Sequence, residues 1–222
     1  MKLGLIVECT TQGLEEKFCP RLLELVAAET GIEIKCFIET MVNKKFLLRD
    51  AAIVTAKLLA EGCDRVIVLW DENPPWTPDK NFAKKRCWHI EREHVLDQLR
   101  SEDVDLSKVE LVCIEREIET WVLHDHRLLS ATMSTAHAAK IKKIARPLTI
   151  DSPKRYLIRL YEKNGFRFNA AAAAAGFAKN LQDLSHLKRC DTFRYFVEKA
   201  TGSMPAGWAA YNYVPKGPVK DD

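Results

Sequence analysis

The sequence predicts an α/β protein with a doubly wound, mostly parallel four-stranded sheet and a helical C-terminal extension. Over residues 1–130, four short apolar runs alternate with four helical segments, which is typical of a parallel sheet covered by helices. The apolar runs are rich in Val, Ile and Leu, as expected of strands buried on both faces. After residue 130 only helical patterns follow. We therefore expect an α/β domain at 1–130 and a helical region at 131–222 packed on it.

Each strand is predicted from a short apolar run bounded by charged or turn-forming residues. The first and third runs are continuous and predict buried strands, whereas the second alternates only partly between apolar and polar residues. The four predicted strands are Leu3–Val7, Ile32–Ile38, Arg65–Trp70 and Val109–Ile114.

The helices of the first domain are predicted from apolar residues at helical spacing and from the residues that end them. Gly31 and Gly62 follow the first two segments, and glycine is favoured directly after a helix. Pro20 lies inside the first segment and should kink it or start a new one. Residues 73–81 contain three prolines and are predicted to form a loop. The predicted helices are Gln12–Glu29, Phe46–Glu61, Phe82–Arg100 and Glu117–Leu129.

The C-terminal region is predicted to be helical as far as about residue 200. Ser152 and Pro153 combine a capping residue with proline at the first helical position, and Gly165 is a stop signal. Six consecutive alanines at 170–175 have high helix propensity. From about residue 202, glycine, proline and aromatic residues indicate an irregular tail lying on the body of the protein. The predicted helices are Thr135–Ala145, Pro153–Lys163, Ala170–Asn180 and Thr192–Ala200.

Composition indicates a globular protein of a reducing compartment. Of the 222 residues, 47% are hydrophobic, enough for a sizeable core. The seven cysteines are scattered without a CxxC motif, which favours reduced thiols and a cytoplasmic protein. No apolar stretch approaches the length of a membrane span, so no membrane association is expected. The net charge of +3 is too small to indicate nucleic-acid binding, although basic clusters at 80–92 and 140–146 suit either a phosphate backbone or a solvated helix face.

Acidic residues follow three of the predicted strands, and they are the main indication of function. Glu8 follows the first strand, Asp71 and Asn73 follow the third, and Glu117 and Glu119 follow the fourth. The carboxyl ends of strands in an open α/β sheet line the crevice where ligands bind. Converging carboxylates repel one another unless a hard cation such as Mg²⁺ neutralises them. Each acid also has a structural explanation, because Asp and Asn favour turns and glutamates favour the first turn of a helix.

Other kinds of site are not indicated. The chain has no GxGxxG, GxxxxGK[ST] or GxSxG motif, which argues against dinucleotide, P-loop and serine-hydrolase chemistry. Cys9 lies beside Glu8, which should raise the pKa of the thiol and make it a poor nucleophile. His124 and His126 flank a further acid, Asp125, but should point apart on a helix, so zinc binding is not expected.

The order of these motifs resembles that of the Toprim fold, which occurs in topoisomerases, primases and overcoming-lysogenization-defect nucleases. In that fold a glutamate follows the first strand and a DxD-type acid pair follows the third. Val7-Glu8, with Glu15-Glu16 shortly after, and the run Val66–Asn73 are similar to this pattern.

Other segments resemble a bacterial Toprim-like family, domain of unknown function 4276. Residues Glu117–Asp125 are similar to its ExEAWLLAD-like stretch. The runs at 152–154, 176–178 and 190–196 are similar to the tail of that family, so the resemblance spans nearly the whole chain.

The resemblance implies a Mg²⁺-dependent nuclease or phosphodiester-processing protein, with a role in bacterial phage defence. Glu8, Asp71, Glu117 and Glu119 would be the catalytic residues. Glu8, Asp71, Asn73 and Glu119 would bind Mg²⁺ or Mn²⁺, and nucleic acid would be the partner.

Two departures from the Toprim pattern support an alternative. Cys9 stands where Toprim proteins usually have glycine, and Asn73 stands in place of the second acid of the DxD pair. Loss of one charged ligand should weaken Mg²⁺ binding. Members of the family are commonly encoded beside an ATPase, so the alternative is a non-catalytic partner or regulatory subunit of such an ATPase.

Overall fold

A computed structural model describes residues 1–10, 12–72, 87–133 and 141–213 of the protein. The described strands are β1 (Lys2–Glu8), β2 (Lys35–Met41), β3 (Arg65–Asp71) and β4 (Val109–Ile114). They form one sheet with the order β2-β1-β3-β4, in which every pair is parallel. The fold class predicted from the sequence, a Toprim-like doubly wound sheet with a C-terminal helical extension, is confirmed.

Three strands lie close to their predicted bounds, and β2 is shifted towards the C-terminus. The predicted strand began at Ile32, whereas β2 begins at Lys35, which is paired with Lys2 of β1. β2 is an edge strand that is only partly buried. Its boundaries are therefore set by pairing with β1 rather than by a clear apolar pattern of its own.

The described residues form eight helices. The predicted helix Glu117–Leu129 is wrong, because two helices stand in its place. It is broken at Asp125, whose backbone is extended (φ −109°, ψ 90°). The Asp125 carboxylate accepts N–H bonds from Arg127 and Leu128 at 3.0 and 3.1 Å, so it caps a second helix. The helices are α1 (Leu14–Thr30), α2 (Lys44–Ala60), α3 (Cys87–Ser101), α4 (Glu119–His124), α5 (His126–Thr132), α6 (Pro153–Lys163), α7 (Ala170–Asn180) and α8 (Asp191–Thr201).

Two further helix predictions, a new segment at Pro20 and a helix at Thr135–Ala145, differ from the structure. Pro20 starts no new segment, because α1 runs through it as a single helix. The predicted helix Thr135–Ala145 is not found in its described part, 141–145, and its remaining residues lie outside the described ranges. Residues 82–86 of the third predicted helix also lie outside them.

The two faces of the sheet carry different layers. On one face, α2 and α3 cover a core that contains Ile6, Val68 and Trp70. On the other face, α1 and the C-terminal helices share one continuous core with β1 and β3. The tail after α8 lies on this body, where the Tyr213 hydroxyl donates to the Cys113 carbonyl at 3.0 Å. The C-terminal helices therefore pack on this face of the sheet, and α6 and α7 reach the edge at which β1 and β3 end.

The described part of the chain contains no helix with both the length and the apolar character needed to cross a membrane. The six cysteines whose side chains are described are all free thiols, and five of them are buried.

Candidate metal and catalytic site

A cavity of about 310 Å³ lies where β1 and β3 end and the first turns of α1, α4 and α6 begin. Five carboxyl groups line it, together with one ammonium group and an apolar wall from the C-terminal helices. The carboxyl groups belong to Glu8, Glu15, Asp71, Glu117 and Glu119, the ammonium group to Lys154, and the wall includes Leu157, Phe168 and Phe177.

All four catalytic residues predicted from the sequence line this one cavity: Glu8, Asp71, Glu117 and Glu119. The fifth residue of the predicted set, Asn73, lies outside the described residues. The four acids come together because the strands are parallel, so β1 and β3 end at the same edge of the sheet.

Asp71 is the last residue of β3 and is held from two sides. Its Oδ1 accepts the N–H of Ile118 at 2.9 Å, which joins the end of β3 to the start of α4. Its backbone carbonyl accepts a bond from the Lys44 ammonium at 2.5 Å. These contacts fix the carboxyl group at the floor of the cavity.

A sharp change of chain direction brings Glu117 and Glu119 into the cavity. Arg116 adopts a left-handed conformation (φ 72°), and the helix α4 begins three residues later. Because the backbone turns at Arg116, Glu115 is not among the described residues that line the cavity with Glu117 and Glu119. A strained non-glycine backbone at this position is typical of functional sites.

Lys154, in the first turn of α6, ties the C-terminal region to these acids. Its backbone N–H donates to Oε2 of Glu117 at 2.7 Å. Its ammonium lies 3.9 Å from Oε1 of Glu119. The C-terminal helices therefore complete the cavity and also supply its cation.

The sequence reasoning did not select Glu15 and Lys154 as site residues. Glu15 is buried in the first turn of α1. A signal for it existed, since Glu15, Phe18 and Leu22 lie three and four residues apart and so share one helix face. An acid on an otherwise apolar face is a candidate for a functional site. Lys154 had no comparable signal, because only the tertiary fold brings α6 to the sheet.

Four acids of the cavity have raised pKa values: Glu8, Glu15, Asp71 and Glu119. Burial raises the pKa of Glu8 from 4.5 to about 7; Glu91 adds to this rise, whereas Lys44 opposes it. Burial, followed by repulsion from neighbouring acids, raises the pKa values of Glu15 and Asp71. Burial also raises the pKa of Glu119, against the opposing charge of Lys154. Carboxyl groups this crowded favour either protons or a bound cation.

The donor set fits a hard divalent cation. Oε2 of Glu8 is buried and has no hydrogen-bond partner among the described residues, and such an orphaned oxygen is costly unless a ligand satisfies it. The acidic donors of the cavity are all oxygens, which suit Mg²⁺ or Mn²⁺. Cys9 adds no soft ligand, because burial and then Glu15 raise the pKa of its thiol to about 12. The predicted direction of the Cys9 shift is confirmed, although burial contributes more than a neighbouring acid.

Below the cavity, a buried ion pair supports the ends of β1 and β3. The Lys44 ammonium lies 3.3 Å from Oε1 of Glu91, with both side chains almost fully buried. Oε2 of Glu91 accepts the indole N–H of Trp70 at 2.9 Å. The pair therefore links α2 and α3 to the strand that carries Asp71.

Replacing Lys44 with methionine should destabilise the protein by about 3–5 kcal/mol, because it leaves the Glu91 charge buried without its cation. Urea unfolding at pH 7 measures the change. Lys45→Met is the matched control, since Lys45 is the exposed neighbour on the same helix. A Lys44→Met loss no greater than that of the control would show that the pair has no stabilising role.

Comparison of this chain with protein-family models, with curated proteins and with solved structures finds no match. The fold and the cavity themselves define the class: an α/β protein with a Toprim-like parallel sheet and a cluster of acids at its carboxyl edge.

Proposed function

We propose that this protein is a Mg²⁺-dependent phosphodiester-processing enzyme, a Toprim-like nuclease with a role in phage defence. The observation that carries the proposal is the convergence of five acids on one cavity at the carboxyl edge of a parallel sheet. The buried, unpartnered Oε2 of Glu8 points to a missing cationic ligand.

Glu8, Asp71 and Glu119 are proposed to hold the ion, and the sequence adds Asn73 as a further oxygen donor. When bound, Mg²⁺ would stabilise charge on the scissile phosphate and lower the pKa of a bound water. Glu8 has an alternative role as a general base instead of a ligand, because without an ion bound to it a pKa of about 7 lets it accept a proton near neutral pH. Lys154 suits a phosphate contact, because its ammonium lies at the same cavity wall.

A basic surface beside the cavity supports a nucleic-acid substrate. The first turn of α6 carries Lys154 at the cavity, and the same helix carries the exposed Arg155 and Arg159. Tyr156, 38% exposed, shares a surface depression with Lys142, Lys143 and Lys163. Basic residues beside an exposed aromatic ring are typical of surfaces that bind single-stranded nucleic acid.

The second proposal is a non-catalytic partner of an ATPase. The observation that favours it is Lys154, whose ammonium already supplies one positive charge near Glu119. An internal cation of this kind reduces the need for a metal ion.

Mg²⁺ binding by isothermal titration calorimetry tests the first proposal. The wild-type protein should bind Mg²⁺ in the millimolar range or tighter. Asp71→Asn should weaken Mg²⁺ binding at least about 10-fold, because it removes a charged ligand and even outer-shell changes cost about 10-fold or more. Asp97→Asn, on an exposed Asp that pairs with Arg100, is the control and should leave binding unchanged. No Mg²⁺ or Mn²⁺ binding by the wild type would remove the enzyme proposal and favour the partner.

A further inference from the structure

A second cluster of potential metal ligands lies outside the acidic cavity. One carboxylate oxygen of Asp125 and one ring nitrogen from each of His126 and His186 all lie within 4.8 Å of one another. The two imidazole rings meet edge to face, with centroids 5.0 Å apart. Asp125 is buried, at 3% exposure, and the two histidines are partly buried.

The fold creates this cluster at a helix break. Because α4 ends and α5 begins at Asp125, the chain changes direction there, and His126 takes a different orientation from the one a continuous helix would impose. His186 precedes the short 3₁₀ turn Leu187–Arg189, between α7 and α8. The expectation of no zinc-type site rested on His124 and His126 pointing apart on one continuous helix, and the break at Asp125 removes that premise. Nothing in the local sequence connects His186 with His126.

Two buried nitrogens of the cluster lack partners. Nδ1 of His126 and Nδ1 of His186 are both buried, and neither has a hydrogen-bond partner among the described residues. A buried imidazole normally donates or accepts at both nitrogens. Two orphaned nitrogens beside one carboxylate point to a ligand that satisfies all three residues.

We propose that Asp125, His126 and His186 bind a transition-metal ion of the Zn²⁺ type, at the opposite end of α4 from the acidic cavity. Two imidazoles and one carboxylate are a donor set that suits Zn²⁺, Co²⁺ or Ni²⁺, whereas the acidic cavity suits Mg²⁺. The six-residue helix α4 separates the two sites and is roughly 9 Å long at 1.5 Å per residue.

The two oxygens of the Asp125 carboxylate have different surroundings. Its contacts to Arg127 and Leu128 are all made through Oδ1, which leaves Oδ2 as the oxygen for an ion. The Arg127 guanidinium lies 3.5 Å from Oδ1 and opposes a second cation, but it also bonds to Asp183 at 2.8 Å, and that acid offsets its charge. Ligands of a tetrahedral zinc ion lie roughly 3.4 Å apart, whereas the three ligand atoms lie within 4.8 Å of one another. Side-chain rotation must therefore draw them together by up to roughly 1.4 Å.

Three protein ligands leave one coordination position for water or another small ligand. The ion would join the α4–α5 break to the loop that precedes α8, two segments far apart in the chain. Metal binding should therefore stabilise the packing of the C-terminal helices on the sheet domain.

Zn²⁺ and Co²⁺ titration of the untagged full-length protein tests this site. A competing chromophoric chelator should report one Zn²⁺ site per chain, and Co²⁺ should give the visible absorption of a nitrogen-ligated ion. His126→Gln and His186→Gln should each raise the Zn²⁺ dissociation constant by at least about 10-fold. This is the lower limit of the loss of affinity that outer-shell changes cause, and loss of a direct ligand should cost at least as much. His94→Gln, on helix α3, should leave the affinity unchanged.

Mapping of modified histidines in the wild-type protein tests the site without any variant. Zn²⁺ should protect His126 and His186 from diethyl pyrocarbonate and leave the reactivity of His94 unaltered. Absence of a Zn²⁺ site in the titration, Zn²⁺ affinity that survives both glutamine substitutions, or lack of protection at both histidines would each overturn the proposal. Asp71→Asn should not change Zn²⁺ binding, so the Zn²⁺ site and the Mg²⁺ site are tested independently.

Discussion

Replacing Glu8 with glutamine should lower the rate of Mg²⁺-dependent nucleic-acid cleavage by about 10²–10⁴-fold, the range associated with a positioned general base. Glutamine keeps the size of the side chain but cannot accept a proton or supply a charged ligand. A pKa of about 7 lets Glu8 take a proton near neutral pH, a property that Glu119 shares. Initial rates on single-stranded and duplex DNA and RNA, with Mg²⁺ or Mn²⁺, measure the effect.

Glu39→Gln is the matched control for this measurement. Glu39 lies on the neighbouring strand β2, where its carboxylate pairs with Lys57 at 2.8 Å. This control should cleave at the wild-type rate. Equal cleavage by the Glu8→Gln and wild-type proteins would contradict the role of Glu8. A wild-type protein that cleaves nothing, alone or with an ATPase encoded nearby, would instead favour the non-catalytic partner.

The positions of Glu8 and Asp71 were predictable from the sequence, because both follow strongly apolar strands. In a parallel sheet such strands end at one edge, so the pattern alone places the two acids near each other. The helix α7, Ala170–Asn180, was predicted with its observed bounds, since an alanine-rich run depends mainly on local propensity.

Of three features that the sequence did not reveal, one depends on a local helix cap and two depend on tertiary contacts. The break at Asp125 arises because its side chain caps α5, a choice that competes with continuing the helix. Lys154 reaches the acids only after α6 folds back over the sheet edge. His186 meets His126 only through the packing of the loop before α8. For Lys154 and His186, the local sequence does not indicate the partner.

Without metal, the protein should lose stability as the pH rises from about 5 to about 8. The pKa of Glu8 is raised by burial from 4.5 to about 7 in the folded state. Between these values the folded state binds more protons than the unfolded state, so the free energy of unfolding falls with increasing pH. The shift of Glu8 alone corresponds to a loss on the order of 3 kcal/mol. The raised pKa values of Glu15, Asp71 and Glu119 act in the same direction.

Urea unfolding of wild-type and Glu8→Gln proteins at pH 5 and pH 8, in a chelator, isolates this effect. His124 acts in the opposite direction, because burial lowers its pKa to about 4, but it is present in both proteins and cancels in their difference. Glu8→Gln should be more stable than the wild type at pH 8 by about 3 kcal/mol, and nearly equal to it at pH 5. Saturating Mg²⁺ should stabilise the wild type more at pH 8 than at pH 5, because ionised carboxylates bind the cation better. A difference between the two proteins that does not vary with pH would show that Glu8 is ionised in the folded protein at pH 5. Burial of the Glu8 carboxyl group would then not be a source of the cavity's affinity for a cation.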